Sequence, residues 1–242
     1  MSASVVFFTV VYYKDYDFLL GSIEHHAKFG KHLVLDTSPP EHAIKFKKLP
    51  SSVLWMHAPF YGVGWKNFKL RSAVQDAMEN ARLLGTDIMV YLDADEFYTD
   101  ESANLLFPWA EKAMVENQYI HWKRDGKAYT FGHSEWHCRL WPAQSKVEIA
   151  QNSAWRNHPR YNGNPEHHPV PVPPQGLQVI RVYGEFRQHL HYALGPKAMD
   201  EETAVNTIDG WPDKGHEVVT PPLPEKLFLW REKGIRPIEA FL

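Results

Sequence analysis

A chain of 242 residues with 44% hydrophobic side chains can bury a substantial core, which excludes an intrinsically disordered protein. Its 26 basic and 29 acidic side chains leave a formal charge of -3, so no chain-wide attraction draws it to polyanions, and unmodified duplex nucleic acid is not an expected partner. The single cysteine, Cys138, excludes an intrachain disulfide and a cysteine-based zinc site, and it fits a cytoplasmic setting.

The apolar start from Ser4 to Tyr13 is too short to span a bilayer and has neither a charged leader nor a small-residue cleavage pattern. The mature protein is expected to begin near Met1, with no transmembrane segment. Within that start, Val5 to Tyr12 is β-branched and aromatic, the composition of a strand buried on both faces of a parallel sheet. Asp15 to Phe29 follows with Phe18, Leu19, Ile23 and Ala27 at helical spacing, and Gly30 is placed as its C-cap. His32 to Leu35 is a second short strand that ends at Asp36, Thr37 and Ser38. Strand, helix and strand in this order predict a βαβ opening, whose ligands bind beyond the carboxyl ends of the strands.

Val53 to Met56 is a third strand, and Lys69 to Leu84 is an amphipathic helix through Leu70, Val74, Ala77, Met78 and Ala81, closed by Gly85. Ile88 to Leu92 is a further buried strand that delivers Asp93, Ala94, Asp95, Glu96 and Phe97 to the edge already holding Asp36. Leu105 to Asn117 is read as a helix, with strands at Tyr119 to Trp122 and Arg139 to Trp141. Residues 157–175, dense in Pro, His and Asn, are expected to form a long irregular loop over a site. Leu177 to Tyr183 and His189 to Tyr192 return to strand character, and a short helix around Glu225 to Glu232 ends the chain. Neither repeats nor a linker divide it, so residues 1–242 are expected to form one domain.

The chemistry is concentrated in YLDADEF, Tyr91 to Phe97. Two aspartates one residue apart at a strand end can share one oxygen-seeking cation, Mn²⁺ or Mg²⁺, which keeps open positions for phosphate oxygens. Such a cation neutralises a departing diphosphate, the main electrostatic task when a sugar leaves a nucleotide through an oxocarbenium-like state. Glu96 belongs either to the support of that metal shell or to a solvated loop.

IEHHAKFGKHLVLDTS (Ile23 to Ser38), then a helix, then DIMVYLDADEF (Asp87 to Phe97), resembles the family-2-like glycosyltransferases of the GT-A fold, over about the first 100 residues most closely. The resemblance implies an α/β fold with a Rossmann-like, mostly parallel central sheet flanked by helices. It implies a nucleotide-sugar-binding half at residues 1–100 and an acceptor-binding half at 101–242. The activity implied is transfer of a hexose from a nucleotide-sugar, in first place a UDP-sugar, to a hydroxyl acceptor on a glycan, lipid, protein or modified base, with inversion favoured.

Carried over by position, Thr9 and Tyr12 lie beside the nucleotide, Asp36 contacts the base, Asp93 the ribose or the metal, and Asp95 is the principal metal ligand. A turn aspartate ahead of Pro39 is the other reading of Asp36. The late metal ligand is His191 in FRQHLHYALGPK, with His189 and His158 as alternatives. Arg71 is the candidate phosphate contact, although the family's Arg-Asn pair is absent. Glu135, in FGHSEWHCRLW, is the isolated candidate for the base that deprotonates the acceptor. Trp122, Trp136, Trp141 and Trp155 crowd the acceptor half, where an indole either stacks on a sugar face or packs in the core.

Two other classes remain open from sequence. A nucleotidyltransferase-like Mg²⁺ enzyme would carry a glycine-rich phosphate loop near the amino terminus, and Val5 to Leu20 contain no glycine. A non-catalytic carbohydrate- or nucleic-acid-binding module would bind its ligand without metal dependence.

Overall fold

A computed structural model of the protein describes residues 3–43, 49–61, 69–122, 128–130, 136–151, 169–189 and 216–218. In chain order the first half holds β1 (Val5–Val11), α1 (Tyr16–His26), β2 (Gly30–Asp36), β3 (Val53–His57), α2 (Leu70–Arg82), β4 (Ile88–Tyr91), β5 (Glu96–Tyr98) and α3 (Asp100–Ala110). The second half holds β6 (Met114–Trp122), β7 (Ala128–Thr130), β8 (Trp136–Pro142), β9 (Glu148–Gln151), β10 (Pro169–Val172), β11 (Val179–His189) and β12 (His216–Val218).

Every residue of β1 is β-branched or aromatic, and the strand is buried on both faces between β2 and β4, parallel to each. β3 adds in parallel outside β2. Across this half the order is β3-β2-β1-β4, so the chain leaves β1 toward one side and later returns to the other. The carboxyl ends of β1 and β4 therefore form a topological switch point, the place where open α/β sheets leave a crevice for ligands.

The alternation of side chains along β1 sorts the helices. Val6 and Phe8 pack with Ala73, Val74, Ala77, Met78 and Ala81 of α2. Phe7, on the opposite face, lies with Ala103, Leu106 and Phe107 of α3, and Val11 meets Leu19, Leu20 and Ile23 of α1. Helices therefore cover both faces. The fold is α/β, with a central sheet that is parallel through its amino-terminal half and flanked by helices.

Beyond β4 the ten-stranded sheet continues through β8, β6, β7 and β12 in antiparallel pairings, while β11 runs parallel to β6 and antiparallel to β5. β9 and β10 form a separate antiparallel pair. Among the described residues no helix is long and apolar enough to cross a membrane.

Three local expectations are corrected. Gly30 is the first residue of β2 rather than a cap of α1, and a Cβ there would run into the Val5 carbonyl, so the close approach of β1 and β2 requires glycine. The helix read over Leu105 to Asn117 begins earlier, where Thr99 caps it by accepting from the Ser102 N–H at 3.2 Å, and it ends at Ala110; Met114 to Asn117 are strand. Within the expected loop, Pro169–Val172 form β10, whose prolines suit an edge that donates few hydrogen bonds. Gly85 does close α2, with φ of 66°. The helix expected at Glu225 to Glu232 lies outside the described residues.

Candidate active site

β4 and the following Leu92, whose N–H reaches Phe8 O at 3.2 Å, carry the chain to the switch-point crevice, where it must reverse into β5. Asp93 O accepts the Glu96 N–H at 3.1 Å, closing a four-residue turn with Ala94 and Asp95 at its crown. The Glu96 carboxylate reaches back and accepts the Asp93 N–H at 3.0 Å. Each end of the turn therefore satisfies the other. Ala94 is buried against the α1 cluster, whereas Asp93 and Asp95 are only partly covered.

Glu96 is 3% exposed and is neither a solvated loop acid nor a group presented to solvent. Two buried guanidiniums hold it: Arg187 Nε of β11 at 2.9 Å, and Arg139 Nη2 of β8 at 3.7 Å. Arg139 also donates to Asp93 Oδ2 at 2.8 Å and lies 4.1 Å above the Tyr91 ring. Burial would lower its pKa, but the carboxylates of Asp93 and Glu96 outweigh burial and hold it well above the ordinary value. Burial, then the neighbouring Asp93, pushes the Tyr91 phenol far up. Its hydroxyl stays protonated beside the acid turn.

The placement of Arg139 has a local cause. The β6/β8 register passes from Val115–Leu140 to Glu116–Cys138, so β8 carries one extra residue there, and that residue is Arg139. Such a bulge re-aims a side chain, here toward Asp93.

The other predicted positions fall as follows. Tyr12 sits at the carboxyl end of β1, half-buried, with its ring 4.6 Å from Tyr13, which in turn stacks on His42 at 4.2 Å. Burial and the adjacent Tyr13 raise the Tyr12 phenol pKa. Thr9 is fully enclosed, its hydroxyl 3.0 Å from His32 Nε2 on the neighbouring strand.

Asp36 is 1% exposed and its carboxylate takes four donors from the chain itself: the Tyr16 hydroxyl at 2.6 Å, Trp55 Nε1 at 3.2 Å, Ser38 N–H at 3.0 Å and Ser38 Oγ at 2.5 Å. That is the geometry of a turn aspartate. His57 Nε2 fastens the same turn by donating to Ser38 O at 2.7 Å.

Arg71, in the first turn of α2, lines a polar pocket of about 340 Å³ with Ser72, Gln75, Asp76, Glu148 and Ile149, and neither Asp93 nor Asp95 belongs to that lining. His189 is paired through its backbone with Glu96, one residue from Asp95. Trp141 is a core residue, fully buried against Phe8, whereas Trp136 is partly exposed beneath the Arg181 guanidinium. Glu135, His158, His191 and Trp155 lie outside the described residues.

No group of three His, Cys, Asp or Glu side chains able to hold a metal occurs among the described residues. Asp93 and Asp95 are oxygen donors of the kind Mg²⁺ and Mn²⁺ take, and a site built on them leaves positions for phosphate oxygens and water. Sequence reasoning missed both arginines. A signal existed: an arginine inside an apolar strand run, as in Cys138 to Trp141, is a charge that burial obliges to find a carboxylate.

No protein-family model matches the chain, and no curated protein does. Among solved structures, a protein of Desulfovibrio desulfuricans G20 described as a "putative nucleotide-diphospho-sugar transferase" superposes on 98% of this chain and 98% of its own, with a TM-score of 0.41 and 10% identity.

Proposed function

We propose that the protein is a metal-dependent glycosyltransferase of the GT-A type, moving a hexose from a nucleotide-sugar, in first place a UDP-sugar, to a hydroxyl acceptor with inversion. The observation that carries this reading is the acid turn at the switch-point crevice. Asp93 and Asp95 stand on a turn whose Glu96 is clamped by two buried arginines, at a switch point of the sheet, where α/β folds bind ligands.

Asp93 and Glu96 are paired with the guanidiniums of Arg139 and Arg187, and counting Asp95 the three carboxylates and two guanidiniums of the turn leave one net negative charge. A divalent cation held by Asp93 and Asp95 would turn that into a net positive charge, suited to neutralising a leaving diphosphate. His191, two residues past His189 in the chain, is proposed as the additional ligand.

The remaining roles belong to the chain's own groups. Arg139 fixes the Asp93 carboxylate through Oδ2, and the carboxylate so oriented is proposed to take a cation or a ribose hydroxyl. Tyr12 flanks the nucleoside at the end of β1, with Thr9 behind it and Asp36 holding the Ser38 turn in shape. Arg71 is proposed for the phosphates and Glu135 as the base that takes the acceptor proton; these two assignments rest on the family resemblance.

The test is a screen of nucleotide-sugars for Mn²⁺- or Mg²⁺-dependent hydrolysis and thermal stabilisation, with Asp95→Ala as control. A UDP-sugar should stabilise the wild-type protein only with the cation, and Asp95→Ala should lower hydrolysis by about 100-fold or more. A response to another nucleotide alone refutes the UDP assignment, and silence toward every nucleotide refutes the enzyme class.

A further inference from the structure

β5 is only three residues long and pairs with β11 along one edge. Along its other edge no strand lies within the described residues, and Glu96 and Tyr98, two apart, both direct backbone groups there. Side chains of α1 take the place of that strand. Ser22 Oγ donates to Glu96 O at 3.0 Å, Tyr98 N–H donates to His26 Nε2 at 3.1 Å, and His25 Nε2 donates to Tyr98 O at 2.9 Å. The fourth group, Glu96 N–H, closes the acid turn on Asp93 O.

The spacing explains the sequence. Ser22, His25 and His26 stand at i, i+3 and i+4, on one face of a helix. Ser22 Oγ also lies 3.1 Å from His26 Nδ1. Because the serine proton goes to a carbonyl and His26 Nε2 accepts from an amide, the proton between Ser22 and His26 must sit on Nδ1. The relay therefore runs one way, from His26 through Ser22 to Glu96, and it requires neutral His26. Burial, reinforced by His25 and His32, holds the His26 pKa well below its ordinary value, and its ring is stacked on Phe7 at 4.5 Å.

We infer that Ser22 and His26, supported by His25, are positioning residues for the acid turn, acting as a surrogate strand that sets where Asp93 and Asp95 present their carboxylates. The inference deepens the metal-dependent reading above, because the turn they hold is the one proposed to bind the cation. Glu96 is thereby held twice, its carboxylate by Arg139 and Arg187 and its backbone by α1. A turn fixed from both sides keeps its carboxylates in place before any ligand arrives.

The experiment uses the full chain and four variants: Ser22→Ala and His26→Phe remove the bonds with little change in packing, and Ser22→Thr and His26→Gln restore a hydroxyl or an acceptor. Amide hydrogen exchange should rise about 5- to 10-fold across Asp93 to Tyr98 in the first two, stay unchanged in β1 and α2, and return toward wild type in the second two. Equal acceleration everywhere, or none at the turn, overturns the inference. Long-range ¹H–¹⁵N spectra of the wild-type protein should show His26 protonated at Nδ1 and bare at Nε2; the opposite tautomer also overturns it.

Mn²⁺ titrated alone and followed by electron paramagnetic resonance separates the two proposals. A dissociation constant raised about 5- to 10-fold in Ser22→Ala and restored in Ser22→Thr supports both. Wild-type protein that binds no Mn²⁺ refutes the metal reading, and the exchange pattern then decides the positioning role by itself.

Discussion

Replacing Arg187 by methionine tests the buried clamp most directly. Arg187 is fully buried, its Nε stands 2.9 Å from Glu96 Oε1, and Glu96 is itself 3% exposed. Methionine fills much of the same volume but removes the nearer of the two guanidiniums, leaving Arg139 at 3.7 Å and the Asp93 N–H at 3.0 Å beside the carboxylate. Removing one partner of a buried pair costs about 3–5 kcal/mol, because the other charge stays desolvated. For a chain of this size, at roughly 2–4 °C per kcal/mol, the lower part of that range already moves Tm down by about 6–12 °C. Urea unfolding at pH 7 gives the free energy and a thermal scan the Tm. The double variant Glu96→Leu with Arg187→Met removes both charges and should lose at least about 1.5 kcal/mol less than the two single losses added. A single Arg187→Met variant within about 1 kcal/mol of wild type, or strictly additive single effects, refutes the clamp.

Acid should weaken the fold through its buried histidines. Burial lowers the His32 pKa from 6.5 to about 3, so between those values the unfolded chain binds a proton that the folded chain refuses, and stability falls as pH drops through that window. The loss is roughly 1.4 kcal/mol per pH unit for that group, measured by urea midpoints from pH 7.5 to 4.5, and His32→Leu should reduce the slope by about that amount. Gly30→Ala drives a methyl into the Val5 carbonyl, and its expected penalty is about 2 kcal/mol or more in the same assay. Arg139→Met removes the cation that shares Asp93, so Mn²⁺ alone should bind roughly 10-fold tighter while nucleotide diphosphate with Mn²⁺ binds more weakly. Calorimetry showing both to weaken would leave Arg139 a purely structural role.

The parallel core is legible because its strands are mostly apolar runs: Val5 to Tyr12, His32 to Leu35 and Ile88 to Leu92 place β1, β2 and β4 from composition, and the apolar stripe places α2. The acid turn was legible for the same reason, since a D-x-D triplet that ends a buried strand at a switch point has few other places to go. Thr99 does not stand out as a cap because the apolar periodicity begins only later in α3, and the same periodicity runs on past Ala110 into the start of β6, which is why a helix is expected as far as Asn117. Asp36 illustrates the opposite difficulty. One carboxylate two residues before a serine serves equally as a base contact or as the anchor of a turn, and the donors that make Asp36 an anchor, Tyr16 and Trp55, lie too far along the chain to be read from its neighbours.

The sequence can flag Arg139 as a charge in need of a carboxylate, but the pairings that support the site are long-range and their partners are not legible in it. Arg139 meets Asp93 across 46 residues, and His26 meets Tyr98 across 72. No local period connects such pairs. What they share is a physical requirement: a three-residue strand at a sheet's edge cannot satisfy its own backbone, and a carboxylate buried beneath it cannot stay charged unpaired. Once Glu96 is taken as buried, the fold needs cations under the turn and donors along its free edge. Among the described residues β5 lies against α1 along one edge and β11 along the other, and the bulge of β8 supplies Arg139 to the turn. Thus the acids that ligand chemistry singles out are the exposed part of an assembly whose buried part is dictated by electrostatics, and a substitution in either part should be felt at Asp93 and Asp95.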